Sequence, residues 1–150
     1  MLKRLLPTAI LAMALTTAAW ANKPETPTAT PGIKVINVDE GKQLATTKGA
    51  VFVDTRNAMN FGKGRVPGAV SASYKEKSDA APNFDASVDS FEMAKLPADK
   101  NAKIVFYSDG PTGWKSYKAA VLASKAGYKN VMYMRSGYAE WEAKSMPVER

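Results

Sequence analysis

Lys103-Ile104-Val105-Phe106-Tyr107-Ser108-Asp109-Gly110-Pro111-Thr112-Gly113-Trp114-Lys115-Ser116 is the stretch whose reading decides the fold. After Lys103 the next four residues, Ile104 to Tyr107, are uninterruptedly apolar or aromatic and rich in β-branched side chains. Such a run suits a strand covered on both faces, as in a parallel sheet. Residues 108–113 then break the pattern with two glycines and a proline. From about residue 114 to residue 126 the sequence predicts a helix whose small side chains, Ala120, Val121, Ser124 and Ala126, allow close approach to a sheet. Gly127 stands where a left-handed residue ends a helix. In strand–loop–helix sheets ligands sit beyond the carboxyl ends of the strands, so chemistry is expected in the loop after Tyr107.

Working outward, residues 34–38 form a short β-branched run, and Asp39 is placed to cap a brief helix through Leu44. Residues 50–54 (Ala-Val-Phe-Val-Asp) read as a second buried strand ending in an acid. After Gly62 and Gly64, residues 66–71 read as a turn and a third strand. Residues 86–96 carry Val88, Phe91, Met93 and Leu96, an imperfect helical stripe stopped by Pro97. Residues 131–134 form the last strand, and residues 137–144 a short helix with Trp141, closed by Pro147. Strands separated by helices and short loops predict an α/β domain, an open parallel five-stranded sheet flanked by helices on both faces.

The chain has 150 residues with 21 Lys+Arg, 14 Asp+Glu, and neither Cys nor His. The first zero excludes disulfides, thiolate nucleophiles and zinc–thiolate or iron–sulfur sites. The second excludes Ser-His and Cys-His pairs and imidazole metal ligands. No metal site and no cofactor is expected.

Several motifs, taken in order, resemble those of the rhodanese family of sulfurtransferase-type domains. Val53-Asp54-Thr55-Arg56, with Phe61 and then Gly64-Arg65-Val66-Pro67-Gly68-Ala69, is similar to the family's first signature, with Arg65 where His is usual. Ile104-Val105-Phe106-Tyr107 resembles the strand that delivers the catalytic loop. Ala126-Gly127-Tyr128-Lys129-Asn130-Val131, with Gly137, Trp141 and Pro147-Val148, resembles the C-terminal signature. The resemblance spans residues 33–150 and implies a domain over that range. Independently of it, Pro67-Gly68 enforces a tight turn. Asp54 and Arg56, two apart at a strand end, face the same way and are expected to tie loops together. Trp141 and Tyr128 are expected in the core or at its rim.

The family works through a Cys directly after this strand, in a loop whose amides, with the next helix, hold an anionic sulfur species. Here that position is Ser108. The loop Ser108, Asp109, Gly110, Pro111, Thr112, Gly113, Trp114, Lys115, Ser116 resembles an exported subgroup reading Cys-x-Gly-Pro-x-Cys-Trp-Lys-Ser, with both cysteines replaced, at Ser108 and Gly113. A serine hydroxyl ionises too weakly near neutral pH and forms no persulfide, so the resemblance implies a domain without sulfur transfer. Two further readings stay open. The loop can serve as a pocket for an oxyanion or carboxylate, or be an empty vestige. An enzyme using Ser108 with Lys115 as base in an ester or acyl reaction is the alternative from another class. Trp114 either lids the loop or wedges the helix onto the sheet.

Lys3 and Arg4 precede an apolar stretch over residues 5–19, and Ala19-Trp20-Ala21 places small residues where a signal peptidase reads. A signal peptide over residues 1–21, cleaved before Asn22, and a periplasmic or secreted location are expected, with no membrane anchor after cleavage. Loss of Lys3 and Arg4 lowers the formal charge from +7 to +5. Residues 22–32, with Pro24, Pro27 and Pro31, read as a flexible tether. The lysines are scattered, which fits solvated faces and an acidic protein partner or small oxyanion rather than nucleic acid. Residues 74–84 read as a polar loop suited to a rim contact.

Overall fold

The computed structural model describes residues 23–150. The signal peptide expected over residues 1–21 and its cleavage site lie outside the described residues. Five strands, β1 (Ile33–Ile36), β2 (Val51–Asp54), β3 (Val70–Ser71), β4 (Lys103–Tyr107) and β5 (Asn130–Met134), form one sheet in the order β1-β5-β4-β2-β3. Every pairing is parallel. β4 lies centrally, aligned with Val51–Asp54 on one side and with β5 on the other. The loops after β2, β4 and β5 therefore emerge side by side at the carboxyl edge.

Alternating side chains of the sheet feed two cores. Val53, Ile104, Phe106, Val131 and Tyr133 pack with helix α3 (Trp114–Lys125) through Trp114, Tyr117, Ala119, Ala120 and Ala123. Phe52, Val105, Tyr107, Met132 and Met134 pack on the other face with Val38 of α1 (Val38–Thr46) and with Tyr138 and Trp141 of α4 (Gly137–Ala143), while the short α2 (Ala58–Lys63) lies between β2 and β3 in the chain. Helices thus cover both faces, which explains why β4 carries no polar position between Ile104 and Tyr107. The alanines that bring α3 onto the sheet are Ala119, Ala120 and Ala123. They lie one face round from Val121, Ser124 and Ala126. Gly127 has φ +94°, the left-handed stop that ends α3.

The turn and short strand expected over residues 66–71 are both present: an Ala69 N–H···O=C Val66 bond of 3.0 Å closes the turn, and Val70–Ser71 is the strand. Three expectations are corrected. The cap of α1 is Asn37, whose side chain accepts from the Glu40 amide at 2.8 Å, rather than Asp39. The stripe over 86–96 forms two single-turn 3₁₀ helices, Ala86–Val88 and Met93–Lys95, separated by residues 89–92. Asp89 is taken up by tertiary hydrogen bonds from Tyr74, Lys77 and Ser78. Finally, the described part of the tether is not loose. Residues 23–26 lie against the domain, and Thr26 is 2 % exposed.

Candidate functional site

Ser108 follows the last residue of β4 and is buried. Its hydroxyl lies 3.0 Å from the Gly113 carbonyl and 2.9 Å from the Ser116 hydroxyl, which itself lies 3.3 Å from the same carbonyl. The loop is closed by a Gly113 N–H···O=C Gly110 bond of 2.8 Å. Its outer side is clamped by the loop after β5. Tyr138 and Ala139 amides donate to the carbonyls of Ser108 and Asp109, both at 2.9 Å. Gly137, at φ +67°, sits so close that a β-carbon there would fall 2.7 Å from the Asp109–Gly110 peptide. Glycine is thus required at 137 on two counts, backbone region and space.

None of the partners of the Ser108 hydroxyl is a base. A serine is activated by a neighbouring group that takes its proton, and here both partners, a carbonyl and a hydroxyl, are far too weakly basic. Lys115, half-buried, makes no hydrogen bond or ion pair among the described residues. Helix α3 begins after Gly113 without a side-chain cap, so the amides of its first turn and Lys115 set positive potential at this end. Asp109 and Thr112 are exposed at the rim, with Gly110 and Pro111 half-buried between them.

The structural motif sits directly beside the loop. Arg56 donates from Nη2 and Nε to the Asp54 carboxylate at 2.6 and 3.1 Å, and again from Nη2 to the Gly64 carbonyl at 2.7 Å. Both side chains are buried, and the Arg56 guanidinium stacks 4.1 Å from the Tyr138 ring centroid. Burial works against its charge, yet Asp54 outweighs this and the Arg56 pKa is raised. The pair fastens the end of β2 to the turn holding Pro67 and Gly68. Gly68 has φ +76°, and its amide donates to Glu149 at 2.7 Å. Arg65, where the family's His would stand, pairs with the same Glu149 at 3.1 Å and so anchors the C-terminal residues.

Trp114 is core and hydrogen-bonded at once. It is 1 % exposed, packs edge-on to Tyr117, and its indole N–H donates to the Pro24 carbonyl at 2.7 Å. Tyr133 and Arg135, which sequence reasoning did not single out, also reach residues 23–26. Burial raises the Tyr133 hydroxyl pKa against the opposing pull of Thr26 and Ser116. The loop-like rim over residues 74–84 is organised around Glu76, which binds the buried Lys118 ammonium at 2.9 Å and Lys23 at 2.8 Å. A cavity of about 720 Å³ lies at the opposite end of the sheet, between α1 and the start of β1 and β5, away from this loop.

A parallel sheet whose central strand opens into a closed six-residue loop, followed at once by a helix, defines an open α/β domain with its candidate site at the carboxyl edge of the sheet. The chain belongs to the rhodanese-like domain family, whose model matches residues 37–144. Among curated proteins it is similar to the uncharacterized protein YibN of Escherichia coli K12. The two are 27% identical over 121 residues, which is 81% of this chain and 76% of YibN. Among solved structures it is similar to the BH2092 protein of Bacillus halodurans, with a TM-score of 0.58 at 18% identity, covering 77% of this chain and 76% of that one. It is likewise similar to a thiosulfate sulfurtransferase of Pseudomonas aeruginosa, with a TM-score of 0.57 at 19% identity, covering 79% of this chain and 20% of that one. These structural likenesses concern the fold.

Proposed function

We propose that the chain is an exported rhodanese-like module that does not transfer sulfur and instead binds through the loop over residues 108–116. The observation that carries this reading is Ser108. It occupies the family's nucleophile position, buried, with its hydroxyl held by the Gly113 carbonyl and Ser116. In sulfur transfer a thiolate attacks the sulfane sulfur of a donor such as thiosulfate. The donor's S–S bond breaks, sulfite leaves and the sulfur stays on the protein as a persulfide. A chain without Cys has no atom for that step. The loop is nevertheless kept in length and closed by its own hydrogen bond.

Its ligand class follows from charge. Helix α3 starts without a side-chain cap, Lys115 has no carboxylate partner among the described residues, and the chain carries a net positive charge. A small oxyanion, or a carboxylate presented by an acidic protein partner, matches that end. Location outside the cytoplasm rests on the Lys3-Arg4 head, the apolar stretch and Ala19-Trp20-Ala21. The test is a titration of sulfate, thiosulfate and phosphate followed by melting temperature, beside a thiosulfate-to-cyanide assay. The reading expects saturable stabilisation at millimolar anion, reduced in Lys115→Ala, and no turnover. Robust cyanide-dependent turnover by the unaltered chain overturns the non-catalytic reading. Absence of any shift overturns the oxyanion site.

A further inference from the structure

We propose that Pro111, Trp114, Tyr133 and Arg135 form a recognition surface for an extended peptide, and that residues 23–26 of the chain occupy it in cis as a strap beside the Ser108 loop. The contacts are those of peptide recognition, main-chain groups held at alternate positions, Pro24 and Thr26, with the Glu25 side chain read between them. The Pro24 carbonyl accepts from the Trp114 indole at 2.7 Å. The Thr26 amide donates to the Pro111 carbonyl at 2.8 Å, and the Thr26 carbonyl accepts from Arg135 Nε at 3.0 Å. The Thr26 hydroxyl, buried, donates to the Pro111 carbonyl at 3.0 Å and lies 2.7 Å from the Tyr133 hydroxyl. Glu25 reaches Arg135 Nη2 at 2.7 Å, and Lys23 reaches Glu76 at 2.8 Å.

These contacts define the partner's chemistry. The surface fits an extended segment ordered proline, acid, threonine, with its threonine inserted and its acid facing Arg135. Pro24 and Pro27 flank the inserted residues and restrict the free chain, which lowers the ordering cost of docking. Two of the receiving groups belong to the loop and its helix, since Pro111 lies within the loop and Trp114 opens α3. Whatever holds the surface therefore also holds the loop. A partner bearing such a segment exchanges with the strap, and position 108 is reached while the surface is vacant. This holds whatever the loop itself binds.

The absence of Cys makes access to position 108 directly measurable, because Ser108→Cys carries the chain's sole thiol. The rate of its reaction with an aromatic disulfide is compared in the full chain with and without Thr26→Ala, folding being checked by near-ultraviolet circular dichroism. Loss of both Thr26 hydroxyl contacts is expected to raise the rate about tenfold. Arg135→Gln is expected to act in the same direction from the other side of the strap, and serves where Thr26→Ala does not fold. Adding the blocked peptide Lys-Pro-Glu-Thr-Pro at millimolar concentration returns the loosened variant to the slow rate, and Lys-Pro-Glu-Val-Pro does not. Equal labelling rates with the strap intact and loosened overturn the covering role. A loosened variant indifferent to both peptides overturns the recognition surface. Because the two peptides carry the same Glu carboxylate and differ only at Thr and Val, and no inorganic oxyanion is added, the outcome is separate from that of the oxyanion titration.

Discussion

A β-carbon built on Gly113 falls 3.3 Å from the β-carbon of Ser108 and 2.9 Å from the Gly110 carbonyl oxygen, and it collides with the Ser108 hydroxyl. The two positions at which this loop departs from the cysteine-bearing pattern are therefore in direct contact. Glycine at 113 and serine at 108 fit each other, since any side chain at 113 occupies the space of the Ser108 hydroxyl. Gly113→Ala is expected to destabilise the domain by about 1–3 kcal/mol, the usual range for overpacking. Ser108→Ala in the same chain should recover part of that loss and leave the part due to the Gly110 carbonyl. Denaturant melts of the two single variants and the double variant measure it. Additive costs would show that the two positions do not share space.

The same contact predicts a redox result. Paired β-carbons in disulfides lie about 3.5–4.5 Å apart, so Ser108→Cys with Gly113→Cys needs only a few tenths of an ångström of widening. The double variant is expected to form an internal disulfide in air, seen as the mass loss of two hydrogens and as loss of reactive thiol. Two persistently free thiols would mean that the loop cannot widen.

The buried Asp54–Arg56 pair separates structural from catalytic roles. Asp54 accepts Arg56 and is fully buried, while Arg56 also carries the Gly64 carbonyl and stacks on Tyr138. Asp54→Ala leaves a buried guanidinium without its counter-charge and is expected to cost about 3–5 kcal/mol in a denaturant melt. Asp54→Leu with Arg56→Met removes both charges and should cost less than Asp54→Ala, although the Gly64 carbonyl then loses a donor. A double variant as unstable as the sum of its singles would assign the pair no mutual dependence.

What the sequence makes legible here is what depends on neighbours along the chain. Residues 104–107 are apolar without a break because both cores need them, and that is visible locally. Gly127 after α3 and Pro67-Gly68 in the turn are local as well. The strap is different. Thr26 looks like any threonine in a Pro/Thr-rich linker, because its partners, Pro111 and Tyr133, stand 85 and 107 residues away. The apolar residues of 86–96 misled for a related reason. Phe91 packs on Tyr74 and Phe106, so its burial reflects tertiary contacts rather than helical spacing. The loop's position was readable from the strand before it. The tie from the Ser108 hydroxyl to the Gly113 carbonyl depends on how the loop closes, which its residue order alone does not specify.

Asp89 gives the domain an acid-sensitive joint. Its burial favours the protonated form, but hydrogen bonds from Ser78, Tyr74 and the amides of Lys77 and Ser78 outweigh this and bring its pKa down to about 2. Because the folded value lies below the ordinary 3.8, the stabilisation is fully present above that pH and is lost as pH falls toward about 2. Asp89→Asn is expected to flatten the dependence of melting temperature on pH between about 4 and about 2. The parent should lose stability across that window more steeply than the variant. Parallel curves would remove Asp89 from the acid response.

Glu76 and Lys118 predict an asymmetric pair of mutational costs. The Lys118 ammonium is fully buried, held by Glu76 at 2.9 Å and by the Ser78 carbonyl at 3.1 Å. Glu76 is less enclosed and has a second cation, Lys23, at 2.8 Å. Burial of Glu76 disfavours its charge, yet Lys23 and Lys118 together lower its pKa. Removing the carboxylate therefore strands a buried charge, whereas removing Lys118 leaves Glu76 still paired. Glu76→Gln is expected to cost about 3–5 kcal/mol, and Lys118→Met clearly less, since its methylenes are replaced by a thioether of similar length. In the Lys118→Met background Glu76→Gln should become mild, because no buried ammonium remains to be stranded. Urea melts of the three variants decide it. An equal cost for Glu76→Gln with and without Lys118 would show that the carboxylate stabilises through Lys23 and the strap rather than through the buried lysine.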